Sequence, residues 1–259
     1  MSQREEQLKA FGNLLDIMDE LREKCPWDKK QTMNSLRHLT IEETYELGDA
    51  ILDNNQEEIK KELGDLLLHI VFYAKIGSET ESFDMLDVIQ GINEKLISRH
   101  PHVFGDVVAE TEEEVAKNWE QLKLKEGKKS ILEGVPKSLP ALVKASRIQD
   151  KAASAGFDWD RSEQVFEKVQ EEIQELHEEV LNKNHRKIEA EFGDVLFSLI
   201  NYARFIDVDP ESALERTNKK FIKRFQYLEE AAKKNGESLK DMTLTQMDVY
   251  WNESKKHFE

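Results

Sequence analysis

Glu172, Glu175, Glu191 and Asp194 form two acidic pairs, Glu-x-x-Glu and Glu-x-x-Asp, within one short region of the chain. Residues three apart share a face of a helix, so the members of each pair project together. If the two helices lie antiparallel, four carboxylates converge. Uncompensated, such groups repel and their pKa values rise. A lysine or arginine at i+3 or i+4 would relieve the repulsion, yet Glu172 is followed there by Glu175 and Leu176, and Asp194 by Phe197 and Ser198. Lys168 and Lys187 stand four residues before Glu172 and Glu191, which is the weaker orientation for a helical ion pair. A bound cation explains the pattern better than a solvated acidic face. An oxygen-only donor set, without His or Cys, selects Mg²⁺ or alternatively Mn²⁺.

The same constellation occurs earlier as Glu43, Glu46, Glu62 and Asp65, at a constant offset of 129 residues (43 to 172, 62 to 191, 65 to 194). Gly64 and Gly193 sit inside the second pair of each copy. A glycine in a helix interior costs about 1 kcal/mol relative to alanine, so it needs a reason such as close approach of a helix or ligand. The likeness extends further. The segment "NEKLISRH" (93–100) matches "NKKFIKRF" (218–225), placing Lys95 on Lys220 and Arg99 on Arg224, and a later match places Trp119 on Trp251. The chain reads as an internal duplication.

These acids require helical hairpins to position them. In the first copy Thr40, three before Glu43, is expected to open a helix with a capping box. The polar "DNNQ" (53–56) is expected to turn the chain, and Leu63, Leu66, Leu67, Ile70, Val71 and Ala74 to mark the packed face of a second helix. The second copy turns at "NKNH" (182–185) and repeats the stripe with Phe192, Val195, Leu196, Leu199, Ile200 and Ala203. Short connections make the paired helices antiparallel neighbours. Gly and Pro cluster in 125–142, where the copies join. The expected division is a first domain at 1–125, a linker at 126–139 and a second domain at 140–259.

Composition agrees with an all-α fold. Among 259 residues, 35 % are charged, with only 11 Gly and 5 Pro to interrupt Glu/Lys/Leu-rich runs. A net charge of −16 excludes a large basic face for nucleic acid. No run of about 18 apolar residues is present, so no membrane span is expected, and a cytoplasmic protein is. The lone Cys25 excludes an internal disulfide and reads as a packed thiol. No Glu-x-x-His occurs in either box, and no His-Asp dipeptide, EF-hand loop or Walker-type loop is present.

Taken together, Glu-Glu-x-x-Glu followed by Glu-x-x-Asp, with "CPWDKKQT", "RHPHVFGD", "SLPAL" and "GFDW", resembles the all-α nucleoside triphosphate pyrophosphohydrolases of the MazG type. The resemblance spans nearly the whole chain. It implies tandem helical-bundle domains, four-helix units completed by homodimerisation, and Mg²⁺-dependent hydrolysis of nucleoside triphosphates, ATP among them, to the monophosphate and pyrophosphate. It implies that Glu172, Glu175, Glu191 and Asp194 are the catalytic metal ligands, with Glu43, Glu46, Glu62 and Asp65 as metal ligands in the first copy. It further implies nucleotide contacts at Lys168, Val169, Gln170, Glu171 and Glu172, at Lys187, Ile188, Glu189 and Ala190, at Asp194, at Lys220, Phe221, Ile222, Lys223 and Arg224, and at Trp251. The lysines and Arg224 supply positive charge, and Trp251 has a face on which a base can stack.

The halves are not equivalent. Leu39 stands where the second copy has Lys168, and Glu58 where it has Lys187. The second half is therefore the expected catalytic one. A competing reading, a non-catalytic nucleotide sensor or regulatory scaffold with structural metal sites, uses the same residues and differs in turnover.

Overall fold

A computed structural model of the chain describes residues 2–108, 111, 114–115 and 130–258. It divides into two compact units, Met1–Val115 and Ala116–Glu259. Among the described residues there are ten α-helices and no strand. Trp119 lies outside the described residues.

In the first unit α1 (Gln3–Lys24), α2 (Met33–Leu52), α3 (Gln56–Glu79), α4 (Met85–Arg99) and the short α5 (Pro101–Phe104) follow one another. The central element is the α2/α3 hairpin, against which α1 and α4 pack through α3. Met18, Leu36, Val71, Phe72 and Ile76 form its core. The start of α2 departs from the expectation. Thr32, not Thr40, is the N-cap: its hydroxyl accepts from the Ser35 N–H, and Ser35 Oγ accepts from the Thr32 N–H. Two satisfied donors at Thr32 carry the helix two turns further back. Thr40 lies inside the helix, its Oγ1 bonded to the Leu36 carbonyl and to the Tyr73 hydroxyl.

The second unit repeats the plan with α6 (Ala141–Ser154), α7 (Ser162–Asn182), α8 (His185–Phe205), α9 (Pro210–Lys234) and α10 (Leu244–Ser254). Here α7 and α8 form the hairpin, α6 packs on α8, and α9 packs on α6 and α10. Val165, Val169, Val195 and Ile200 are buried along the hairpin. Residues 130–140 form turns without a helix.

The hairpin turns are the same device twice. Asn54 and Lys183, corresponding positions of the repeat, adopt the left-handed conformation (φ 52° and 56°). The next residues, Asn55 and Asn184, cap the following helices by accepting from the N–H of Glu58 and Lys187. The expected turns at 53–56 and 182–185 are both present.

The apolar stripes, by contrast, are only half buried within the chain. Val71, Ala74, Val195 and Ile200 are buried, whereas Leu63, Leu67, Ile70, Phe192, Leu196 and Leu199 are exposed. The stripe is wide enough for two contacts, and a single hairpin supplies one. No helix of the described residues is long and apolar enough to cross a membrane.

Candidate metal and nucleotide site

The antiparallel hairpins bring together three of the four acids expected to converge in each copy, the aspartates Asp65 and Asp194 standing outside the triads. On α7 and α8, carboxylate oxygens of Glu172, Glu175 and Glu191 all lie within 4.8 Å of one another, and on α2 and α3 those of Glu43, Glu46 and Glu62 do the same. Each triad grades from a buried acid to an exposed one: Glu172 and Glu62 are buried, Glu175 and Glu46 exposed. Asp194 lies beside the second triad, sharing the lining of one cavity with Glu172.

Crowded carboxylates should resist ionisation, and two of them do. Loss of surrounding water, then the negative charges of Glu172 and Glu191, holds Glu175 above the ordinary glutamate range, with Lys168 opposing. Desolvation, then the negative charge of Asp65 with the nearby Glu62 carboxylate, raises Glu43 likewise. In the first triad Glu62 is only 2 % exposed, and its Oε2 has no hydrogen-bond partner. A buried carboxylate oxygen without a donor is costly. These oxygen-only donor sets fit a hard divalent cation, which would supply the missing positive charge.

The basic residues sort differently from the expectation. Lys168 does pair with the box: its Nζ lies 2.8 Å from Glu172 Oε1 and 2.6 Å from Glu171 Oε1. Those bonds, Glu171 first, raise the lysine pKa. The unfavourable i,i+4 orientation is a preference of a few tenths of a kcal/mol, and here the excess of acid outweighs it. Lys187 instead reaches across the hairpin turn to Glu179 Oε1 at 2.8 Å. In the first copy Lys61 bridges Glu62 and Glu58.

Residues of α9 and α10 are engaged elsewhere. Arg224 donates from Nε and Nη2 to the Phe258 carbonyl, at 2.9 and 2.7 Å. The Trp251 ring lies 5.1 Å from that of Phe221. Lys220, Phe221, Ile222 and Lys223 share α9 with Arg224, and the lining of the cavity next to the box includes none of them.

That cavity, of about 650 Å³, was not anticipated from the sequence. It is flanked by Lys168, Glu172 and Asp194, and continues past Val165, Phe197 and Asn201 to Arg204, which forms a two-point ion pair with Asp158. Asp194 and Arg204 are ten residues apart on one helix, so the cavity runs roughly 15 Å along α8. Gln149, Phe157 and Trp159 close its sides. The signal that could have found it is the repeat itself. Asn201, polar in an apolar helix face, corresponds to Phe72 in the first copy, at the same offset of 129.

Comparison with known proteins places these features in a family. The model of the MazG nucleotide pyrophosphohydrolase domain matches twice, at residues 31–104 and 161–228. These spans contain both hairpins and both acidic boxes. The chain belongs to the MazG family. It is 46 % identical over 250 residues to the nucleoside triphosphate pyrophosphohydrolase/pyrophosphatase MazG of Thermotoga maritima, covering 95 % of each chain. It is 41 % identical over 258 residues to the nucleoside triphosphate pyrophosphohydrolase of Escherichia coli K12, covering 96 % of this chain and 98 % of the relative. It is also 48 % identical to the uncharacterized protein YabN of Bacillus subtilis over 95 % of this chain, but only 52 % of that relative. As a MazG protein it thus has two copies of the family domain, and in the second the acidic box, with Lys168 on Glu172, borders the 650 Å³ cavity.

Proposed function

We propose that this chain hydrolyses nucleoside triphosphates to the nucleoside monophosphate and pyrophosphate, and that the second half carries the reaction. The observation that carries this reading is the conjunction of the Glu172/Glu175/Glu191 triad, Lys168 and a 650 Å³ cavity in one place. Family membership and the activity for which the full-length relatives are named support the same chemistry.

Glu172, Glu175, Glu191 and Asp194 hold Mg²⁺, with Mn²⁺ as the alternative cation. Bound there, the cation would neutralise triphosphate charge and lower the pKa of a water. Glu175, the exposed acid of the triad, is the group best placed to orient the attacking water and accept its proton. The water oxygen bonds to the α-phosphorus, the bond from that phosphorus to the α–β bridging oxygen breaks, and pyrophosphate leaves with the bridging oxygen and the freed electron pair. Lys168 moves from Glu172 to a phosphate oxygen once the cation occupies the box. Lys187, Lys220, Lys223, Arg224 and Trp251 complete the nucleotide site in a homodimer, where the exposed faces of α3 and α8 pair into four-helix units; contiguous exposed apolar surface of this kind marks an interface. The domain division at 126–139 and a cytoplasmic location belong to the same reading.

A second reading applies to the first half. There Glu62 keeps a buried, unpartnered oxygen while Leu39 replaces the lysine. This favours a structural metal site at Glu43, Glu46, Glu62 and Asp65.

Product analysis with Mg²⁺ and each common nucleoside triphosphate tests both. Glu175→Ala is expected to abolish release of monophosphate and pyrophosphate, and Glu46→Ala to leave most of it. Wild-type protein that binds nucleotide with Mg²⁺ but never turns it over would replace the enzyme with a sensor.

A further inference from the structure

Arg224 has a neutral partner in a strongly acidic chain. The protein contains 53 Asp and Glu residues, yet among the described residues no carboxylate pairs with this guanidinium. Its Nε and Nη2 both donate to the Phe258 carbonyl, at 2.9 and 2.7 Å. A carboxylate in that place would cancel the charge. A carbonyl fixes the orientation of the planar fork and leaves its full charge, and the N–H groups of Nη1, for another partner.

The carbonyl is itself held. The Phe258 N–H donates to the Ser254 carbonyl at 3.0 Å, next to the end of α10. Ser254 is 0 % exposed and donates its hydroxyl to the Trp251 carbonyl at 2.7 Å. The rings of His257 and Phe258 lie 5.2 and 6.3 Å from that of Tyr227, with the Phe258 ring edge-on. Phe221, Arg224 and Tyr227 stand three residues apart on α9 and share one ridge of it. Trp251 meets the first of them and Phe258 the other two. One short segment therefore sets both Trp251 and Arg224. The first repeat has no equivalent of this ridge. Its helix α4 ends at Arg99, the counterpart of Arg224, with Pro101 two residues on, whereas α9 runs past Arg224 to Lys234.

We propose that the segment after α10, clamped on Tyr227, is a positioning element for the nucleotide site, and that the Phe258 carbonyl aims the Arg224 guanidinium at a phosphate oxygen of the triphosphate. The inference rests on the nucleotide reading above, which gives Arg224 to the substrate, and adds to it the groups that orient the arginine. Phe258 and Tyr227 act through Arg224 and touch no substrate. An arginine already ordered in this way gives up less side-chain freedom when it meets a phosphate, so the gain is in binding.

Calorimetric titration of the full chain with Mg²⁺ and α,β-methylene-ATP, which cannot be cleaved between its α- and β-phosphorus, is the test. Tyr227→Ala and Phe258→Ala should each weaken binding about fivefold, and Tyr227→Phe, which keeps the ring, should restore it. Arg224→Met should weaken binding at least tenfold, having lost a charge-assisted contact. In the Arg224→Met background Tyr227→Ala should change affinity by less than about twofold, because its effect passes through the arginine. With ATP as substrate, the two alanine variants should raise KM by the same factor and leave kcat within about twofold. An equal loss from Tyr227→Ala in both backgrounds would overturn the proposal and make Tyr227 a packing residue only. Tighter binding by Phe258→Ala would overturn it in favour of a segment that withholds the arginine. Binding unaffected by Arg224→Met would overturn it too, while pyrophosphate release from ATP would uphold the hydrolase. The expected pattern of analogue binding without pyrophosphate release refutes the hydrolase and retains this inference.

Discussion

Lys168 and Glu172 are joined one helical turn apart on α7, with Nζ 2.8 Å from Oε1. The ammonium thereby occupies a carboxylate that a cation would use. On the function proposed above, lysine and metal would compete for Glu172 until a triphosphate gave the lysine another partner.

Removing the competitor should have opposite effects on the two ligands. Lys168→Met is expected to tighten Mg²⁺ binding several-fold in the absence of nucleotide, because Glu172 loses its neutralising neighbour. The same variant should raise KM for ATP about tenfold, having lost a charge-assisted contact to phosphate. Calorimetry with Mg²⁺ alone and steady-state kinetics separate the two effects. Weaker Mg²⁺ binding in the variant would contradict the competition.

Mg²⁺ should stabilise the fold, by about 2.7 kcal/mol at a hundredfold excess over Kd, and EDTA should reverse this. The pH dependence follows from Glu175 and Glu43, both raised above the ordinary glutamate range. In the window just above that range the folded chain holds protons the unfolded chain has released, so the metal-free protein gains stability as pH falls through it. The Mg²⁺ increment fades over the same window because protons displace the cation. Melting curves with and without Mg²⁺ should converge there, and Glu175→Gln with Glu43→Gln should flatten the metal-free curve.

The opposite sign applies to Glu79. Its hydrogen bonds with Arg22, which links the end of α3 to α1, hold the carboxyl below the ordinary range. Its contribution is present at neutral pH and disappears as pH falls through the depressed folded value. Glu79→Gln should lower Tm near neutrality and leave it unchanged at the acid end, by circular dichroism melts.

Gly193 and Gly64 require a reason that one chain does not supply. A Cβ at either position meets nothing within 4 Å, so neighbouring helices of the same chain do not demand glycine. Gly193→Ala should fold at least as stably, by up to about 1 kcal/mol. It should also lose nucleotide affinity or self-association, since a ligand or a second copy is what remains to approach that face. Unchanged activity and mass by light scattering would leave the glycine without a functional role.

Lys183 is a β-carbon-bearing residue in the left-handed conformation at a helix C-terminus. Lys183→Gly should raise stability by about 1 kcal/mol, the usual preference for glycine there. Chemical denaturation with an unchanged m-value would check it.

Local and periodic features were legible in the sequence. The acids of both boxes, the turns at Asn54 and Lys183 and the second helices could be placed because spacing along a helix determines which side chains meet. The misplaced cap shows where such reasoning weakens: Thr40 and Glu43 have capping-box spacing, but so does the Thr32–Ser35 pair that is actually used. The pairing of Lys168 with Glu172 escaped because a weak orientational preference gives way in an unusually dense cluster of acids. Gln149 had no local signal at all. It comes from α6, 48 residues from the Phe197 whose carbonyl accepts from its Nε2, and only packing reveals that the other half of its amide is without a partner.

The exposed leucines, isoleucine and phenylalanine of α3 and α8 carry a cost outside the finished molecule. Until such faces are covered they resemble the surface of a partly folded protein, available to chaperones and to unrelated chains. If copies pair over these faces as proposed, survival of the chain depends on how much of it is made: thermal stability should then rise with protein concentration by mass action, and scarce, newly synthesised copies should be the ones a cell degrades first.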